Sequence, residues 1–109
     1  MKFTIEKNVI LEGLNNVIRA ISTKNVIPVL NGIKFELTNT GLYLTASDSE
    51  LTIKVLIESK DIKQISSVGG IIIQSKYILD IVRKMPSDLI NFEVIDGLKI
   101  KIYTENNQY

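Results

Sequence analysis

At 109 residues the chain has the length of one domain, and its 45% hydrophobic and 23% charged residues are typical of a globular protein. It contains no cysteine and no histidine, which excludes disulfides and thiolate metal sites and removes the commonest general base. The first residues lack the apolar stretch of a signal peptide, so we expect a cytoplasmic location and no membrane partner. The sequence contains no phosphate-binding loop, nucleophile elbow or metal-ligand cluster, and we therefore expect neither catalysis nor a cofactor nor a metal.

An amphipathic helix organises the first part of the chain. Residues 2–6 alternate apolar and polar side chains as a strand does, and residues 8–21 then repeat apolar side chains at helical spacing. Asn8 is the predicted N-cap of this helix, and Gly13 lies on its apolar side, where a missing side chain would let a sheet approach. The polar arc of the helix carries Glu12, Asn15, Asn16 and Arg19.

Three strands and a polar connection are predicted after this helix. Apolar and polar residues alternate from 33 to 38, and a turn at 39–41 follows in which Gly41 is free to take a positive φ. The alternation continues in a short strand, and residues 51–57 then predict the longest strand of the chain. Residues 58–68 are polar, and we interpret them as a surface connection.

The same order of elements starts again after two consecutive glycines. Strand, helix and three strands thus occur twice, about 68 residues apart, with the second copy cut short. We therefore predict two βαβββ units, 1–68 and 69–109, with both helices on one face of the strands. The elements predicted in the second copy are a strand at 71–73, a helix at 75–85, and strands at 90–94 and 98–102 joined by a hairpin at Asp96-Gly97.

The charges of the chain are segregated although its net charge is only +1. The helical segments 7–24 and 75–84 each carry a net charge of +2, and the rest of the chain sums to −3. A nearly neutral protein with this distribution can still present one basic face. Nucleic acid is therefore a candidate partner.

The second predicted helix has an unusually wide apolar arc. The arc covers about 200° of the helix surface, whereas packing against one sheet needs little more than 100°. Tyr77 and Ile81, on one flank of the arc, are therefore predicted to contact something outside the domain. A helix sunk deeply in its own core explains the arc equally well, and both interpretations stay open.

Four stretches carry a family resemblance: MKFTIEKNVILEGLNNV at 1–17, NVIPVLNGIKFEL at 25–37, LYLTASDSELTIKV at 42–55 and SKYILDIVRKMP at 75–86. They resemble, in register and over the whole chain, the bacterial DNA polymerase III beta subunit, the replicative sliding clamp. The IPVL and SD segments within them are the more specific parts. The resemblance covers only the first of the three similar domains of a complete clamp subunit.

The resemblance implies an α+β DNA-clamp fold, in which each domain consists of two βαβββ units with helices on one face and antiparallel sheets on the other. Two three-domain subunits of such a clamp form a head-to-tail homodimeric ring around duplex DNA, with the helices lining the hole. The resemblance further implies a non-catalytic processivity factor that is loaded by a clamp loader and tethers the replicative polymerase. It also implies a location in the bacterial cytoplasm, at the nucleoid during replication. The last strand of the domain would lie beyond Tyr109, and the family's peptide pocket lies mainly in the third domain.

Candidate DNA-binding residues follow if the helical faces line a hole. Cations on the polar arcs are then the expected partners of phosphate, and the side-chain amides of Asn15 and Asn16 are expected to make weaker contacts. Lys24 follows the first helix at a position similar to the family's basic DNA-contacting loop residue, whereas Lys7 and Lys84 lie nearer the margins and rank lower. The predicted DNA-binding residues are Asn15, Asn16, Arg19, Lys24, Lys76 and Arg83.

A subunit interface is implied by the same resemblance. The second helix and the final strand of the family's first domain meet the neighbouring subunit, which assigns Tyr77, Ile81 and Tyr109 to that contact. A second hypothesis, from a different class of function, is a stand-alone protein-interaction module that uses the Tyr77–Ile81 flank and never meets DNA. We expect the chain by itself to be monomeric.

Overall fold

The computed structural model describes residues 1–22, 32–47, 52–86, 88–96 and 99–104. These residues form two α-helices and two four-stranded sheets, and neither helix has the length and apolar composition that a membrane span requires. A short 3-10 helix, Ser59–Asp61, lies between the fourth and fifth strands. In chain order the elements are β1 (Lys2–Glu6), α1 (Lys7–Ser22), β2 (Gly32–Thr38), β3 (Gly41–Ser47), β4 (Thr52–Glu58), β5 (Gln64–Ser67), β6 (Gly69–Gln74), α2 (Ser75–Lys84), β7 (Leu89–Val94) and β8 (Ile100–Tyr103).

Strands from the first and second halves of the chain pair with each other in both sheets. The first sheet has the order β5-β1-β7-β8, and the second sheet has the order β4-β3-β2-β6, with every pair antiparallel. The strand before each helix therefore lies in a different sheet from the strand that directly follows the helix. The two helices contact each other, and the predicted α+β arrangement of paired helices and antiparallel sheets is confirmed. The division into units 1–68 and 69–109 stays a prediction.

Three phenylalanines join the two sheets through the core. Phe3 on β1 and Phe92 on β7 are directly opposite each other, and their rings stack with centroids 4.8 Å apart and planes 5° from parallel. Phe35 on β2, in the second sheet, lies 6.2 Å from Phe92. All three side chains are fully buried. The stacked pair stabilises the first sheet beyond the area that it buries, and the contact of Phe35 with Phe92 links the two sheets.

Helix α1 packs closely against β3 and β4. Its apolar stripe, Ile10, Leu14 and Val17, is fully buried. A Cβ at Gly13 would lie 2.9 Å from the Cδ1 atom of Ile57 and also meet a side chain of β3, so the missing side chain permits the approach of the sheet. The prediction for this glycine is confirmed.

The start of α1 differs from the prediction. The helix begins at Lys7, directly after β1, and Asn8 therefore lies inside the first turn instead of serving as the N-cap. The backbone N–H of Lys7 donates to the carbonyl oxygen of Asp88 at 2.7 Å. A carbonyl group from a distant segment thus accepts a hydrogen bond from a backbone N–H at the start of the helix. The sequence pattern predicts the side chain of Asn8 for that role.

Most of the predicted strands and turns are confirmed. Gly41 takes a φ of +149°, as expected for the turn between β2 and β3, and β7 pairs with β8 as predicted for the hairpin, although Gly97 itself lies outside the described residues. Among the described residues the strand predicted at 51–57 is not the longest, although the sequence pattern predicted that it would be. Strands β2, β3 and β4 have 7 residues each, because the alternation in β3 continues through Ala46.

The segment 58–68 is more structured than predicted. Strand β5 pairs with β1 and places Ile65 opposite Phe3, and Ile62 is buried at 6% exposure. The interpretation of this segment as a surface connection was therefore wrong over its second half. Its strand lies at the edge of the first sheet and has mostly polar, exposed residues, so it lacks the alternating pattern that identifies a half-buried strand.

Truncation of the central aromatic side chain tests how much the junction of the sheets contributes. We expect Phe92→Ala to lower the free energy of unfolding by about 3–5 kcal/mol, because it removes the ring that contacts both Phe3 and Phe35. Val68→Ala, at a side chain that is 51% exposed and outside the strands, should change it by less than about 0.5 kcal/mol. Urea denaturation of both variants measures the difference, and equal effects would contradict this account of the core.

Candidate nucleic-acid interface

Helix α2 presents one polar stripe. Lys76, Asp80, Arg83 and Lys84 are all exposed, and their spacing of three and four residues puts them on the same side of the helix. The stripe has a net charge of +2, with the single carboxylate between the cations. Arg83 and Lys84 lie in the last turn, where cations also interact favourably with the helix dipole. Two of the predicted DNA-binding residues, Lys76 and Arg83, are thus brought to one surface.

The polar arc of α1 is described in part. Glu12 and Asn15 are exposed, whereas Asn16 is half-buried and interacts with a neighbouring group. Residue 19 lies in α1, but the Arg19 side chain and all of Lys24 lie outside the described residues. Because α1 and α2 contact each other, the exposed amide of Asn15 and the cations of α2 belong to neighbouring helices. Whether these side chains contact DNA stays a prediction.

Two lysines of the sheets are engaged with aromatic rings. The Nζ atom of Lys54 lies 4.9 Å from the ring centroid of Tyr43, and that of Lys101 lies 5.0 Å from the ring centroid of Tyr103. On their strands both lysines alternate with residues that pack against the core, so they lie on the outer faces of the sheets. These cations are therefore separated from the stripe on α2, and cation–π contact holds each of them against its own sheet.

The wide apolar arc of α2 is mostly used inside the domain. Ile78, Ile81 and Val82 are buried, with Ile81 at 7% exposure, whereas Tyr77 is 57% exposed. The interpretation of Ile81 as an outward-facing residue therefore does not hold, because the helix is sunk deeply enough to bury it. Tyr77 stays available for a contact outside the domain, and Tyr109 lies outside the described residues.

Lys7, predicted as a marginal phosphate partner, has a different environment. Its Nζ atom donates to the carbonyl oxygens of Arg83, at 3.0 Å, and Met85, at 2.8 Å. The partners are backbone atoms 76 and 78 residues away along the chain, so no side-chain pattern in the sequence could have identified them.

The described side chains favour binding over chemistry. No group of three or more carboxylate, histidine or cysteine residues that could hold a metal ion occurs in the part of the chain that the structure describes. The exposed groups on the helices include ammonium, guanidinium and amide donors, which suit phosphate oxygens, beside the carboxylates of Glu12 and Asp80. This surface can therefore attract a polyanion but has no described nucleophile or base with an evident role.

Two contacting helices combined with two four-stranded sheets that exchange their first strands define a clamp-type α+β domain. A family model described as the DNA polymerase III beta subunit, N-terminal domain, matches residues 1–109. The chain belongs to this family.

Relatives and solved structures agree with the family. The chain is 36% identical over 98 residues to the beta sliding clamp of Bacillus subtilis (strain 168), which covers 86% of this chain and 26% of that protein. The beta subunit from the DNA polymerase of Streptococcus pyogenes is similar in structure, with a TM-score of 0.87 and 31% identity, over 100% of this chain and 29% of that one. The sliding clamp of Bacillus subtilis has a TM-score of 0.86 and 32% identity, over 100% of this chain and 30% of that one. The chain thus spans less than a third of the length of these proteins.

The different environments of Tyr77 and Ile81 give a stability test. Tyr77→Ala should change the free energy of unfolding by less than about 0.5 kcal/mol, because the ring is mostly exposed. Ile81→Ala should lower it by about 2–5 kcal/mol, because the side chain is buried in the core. Urea denaturation measures both free energies. A small effect of Ile81→Ala would contradict the burial of this side chain and indicate that it faces outward.

Proposed function

We propose that this chain is the first domain of a ring-shaped sliding clamp that encircles duplex DNA and acts as a non-catalytic processivity factor in DNA replication. The ring would be a head-to-tail homodimer, loaded by a clamp loader and used by the replicative polymerase in the bacterial cytoplasm, at the nucleoid. The clamp names of the relatives and the position of the family model support this proposal. The units 1–68 and 69–109 are proposed as the two repeats of the domain.

The separation of net charge between the helical segments and the rest of the chain is the observation that carries the proposal. Lys76, Arg83 and Lys84 are exposed on α2, whereas Lys54 and Lys101 lie against tyrosine rings on the outer faces of the sheets. A phosphate backbone that passed the helices would meet amide donors and helical segments with a net charge of +4, whereas the rest of the chain carries a net charge of −3. This arrangement supports DNA on the helical side.

Enclosure explains why the described surface is only moderately basic. A closed ring stays on DNA by its topology, so it needs little contact energy. Phosphate contacts that are few, or are bridged by water, leave it free to move along the duplex without reading the sequence. The amides of α1 and the carboxylate of Asp80 among the cations of α2 suit such weak contacts better than a dense lysine patch would.

The alternative function, a stand-alone interaction module, has less support. It relied on an apolar flank formed by Tyr77 and Ile81, and Ile81 is buried inside the domain. A single exposed tyrosine offers little area for a stable partner. A clamp domain accounts for the family match and for the stripe on α2 together, and we prefer it.

Salt-dependent DNA binding tests the proposed surface. Four full phosphate contacts would give a log–log salt slope of about −3.6, or roughly a hundredfold loss of affinity between 50 and 200 mM, and water-bridged contacts would give less. We expect Lys76→Gln with Arg83→Gln to weaken binding and to flatten the slope by up to about 1.8. Asp80→Asn should strengthen binding, because it removes the carboxylate from the stripe. Fluorescence anisotropy with a duplex of mixed sequence measures all three.

The matched control is Lys54→Gln with Lys101→Gln, which also removes two positive charges but from the outer faces of the sheets. It should leave the salt slope unchanged. If both pairs flattened the slope equally, DNA binding would depend on net charge and the helical surface would not be the binding site.

Enclosure is tested in a chimera in which residues 1–109 replace the matching region of the Bacillus subtilis clamp. After loading, the chimeric ring should stay on circular DNA at a salt concentration that abolishes binding by the isolated chain, and it should leave when the circle is cut. Equal retention on both forms would argue against a topological link.

The isolated chain is expected to be monomeric at micromolar concentration. A stable interface needs about 800 Å² from each partner, and the flank that was assigned to a subunit contact exposes Tyr77 but not Ile81. Light scattering should give a mass near 12.3 kDa. A stable dimer whose mass does not fall on dilution would contradict this.

A further inference from the structure

Lys7 joins the beginning of one helix to the end of the other. It is the first residue of α1, and its ammonium group donates to the carbonyl oxygens of Arg83 and Met85 at 3.0 and 2.8 Å. Its backbone N–H donates to the carbonyl oxygen of Asp88 at 2.7 Å. One residue therefore binds three carbonyl groups within residues 83–88, at and just after the end of α2.

The end of α2 lacks the usual C-terminal motif. The last carbonyl groups of a helix have no partner inside it, and many helices satisfy them with a following glycine in the left-handed conformation. Here the C-cap, Met85, is extended, with φ −64° and ψ 127°, and the next residue is Pro86, which has no N–H to donate. The ammonium group of Lys7 takes the place of those missing donors, and its charge also complements the negative end of the helix dipole.

The start of α1 has the complementary need. The first N–H groups of a helix also lack partners inside it, and Asp88, beyond the end of α2, accepts one of them. The two helix ends thus satisfy each other's free backbone groups through Lys7 and the segment after α2. This contact couples the position of the last turn of α2 to that of α1.

We propose that Lys7 is a positioning residue that fixes the last turn of α2, and with it Arg83 and Lys84, against the start of α1. It is not itself a phosphate partner. The consequence for DNA rests on the proposed function, whereas the coupling of the helix ends does not. The exposed Lys63 lines the same cleft as Lys7, together with Asn8 and Asp88, but makes no hydrogen bond among the described residues, and it therefore provides a matched control.

Amide hydrogen exchange of the whole 109-residue chain tests the coupling. In Lys7→Met the N–H groups of residues 83–85 should exchange roughly tenfold faster, because hydrogen bonds from a charged donor no longer hold the last turn closed. Lys7→Arg should restore the protection, Lys7→Gln should give an intermediate rate, and Lys63→Met should leave the rate unchanged. The proposal would be overturned if the unsubstituted chain, Lys7→Gln and Lys7→Met exchanged at equal rates. If Lys7→Met does not fold, equal rates in Lys7→Gln and Lys63→Met would overturn it instead.

The salt dependence of DNA binding separates positioning from direct contact. Lys7→Met should weaken binding at low salt but leave the log–log slope unchanged, because no phosphate contact is lost, whereas Arg83→Gln should flatten the slope by up to about 0.9. A slope flattened by about 0.9 in Lys7→Met, with unchanged exchange, would make Lys7 a phosphate partner and overturn the proposal. If the unsubstituted chain and the chimeric ring did not bind DNA, the proposed function would fail, and the exchange rates would still decide the role of Lys7.

Discussion

The strand before each helix is hydrogen-bonded into a different sheet from the strand that directly follows the helix, and the placement of both helices depends on this exchange. Strand β1 lies between β5 and β7, while β6 lies beside β2, so each helix must run from one sheet to the other. The pairing of β1 with β7 joins residues almost 90 positions apart, as the hydrogen bond between Thr4 and Asn91 illustrates. Closing so long a loop costs conformational entropy before any contact forms, and burial of Phe3 against Phe92 at the same pairing contributes to offsetting that cost.

The features that could be predicted from the sequence are those with a local pattern. Strand β2 alternates buried and exposed residues, α2 repeats its apolar residues at helical spacing, and Gly41 has the positive φ that its turn needs. The net positive charge of the helical segments was also visible, because it depends only on counting charges in each segment. Gly13 could be placed because a glycine on the apolar stripe of a helix has few roles other than allowing a close approach.

The features that could not be predicted depend on partners far along the chain or on how deeply a helix is buried. Strand β5 is polar and lies at a sheet edge, so only its pairing with β1 identifies it. The width of the apolar arc on α2 indicated how many residues could be buried but not how deeply the helix sits, so the sequence left open whether Ile81 faces outward or is buried, as the structure has it. Lys7 binds backbone carbonyl groups, and because every residue has one, the amino-acid sequence does not indicate this contact.

A surface that slides along DNA, as proposed here, needs cations that hold fixed positions and yet bind each phosphate weakly. On α2 weak binding would follow from composition, since Asp80 lies one turn from both Lys76 and Lys84 and offsets part of their charge, and exposed charges are screened by salt within about 10 Å. The fixed position follows from packing. The helix is buried along Ile78, Ile81 and Val82, and its last turn is bound to the start of α1. Strength of attraction and precision of placement are therefore set by different groups, so substitutions that change the charge of the stripe can leave its geometry intact.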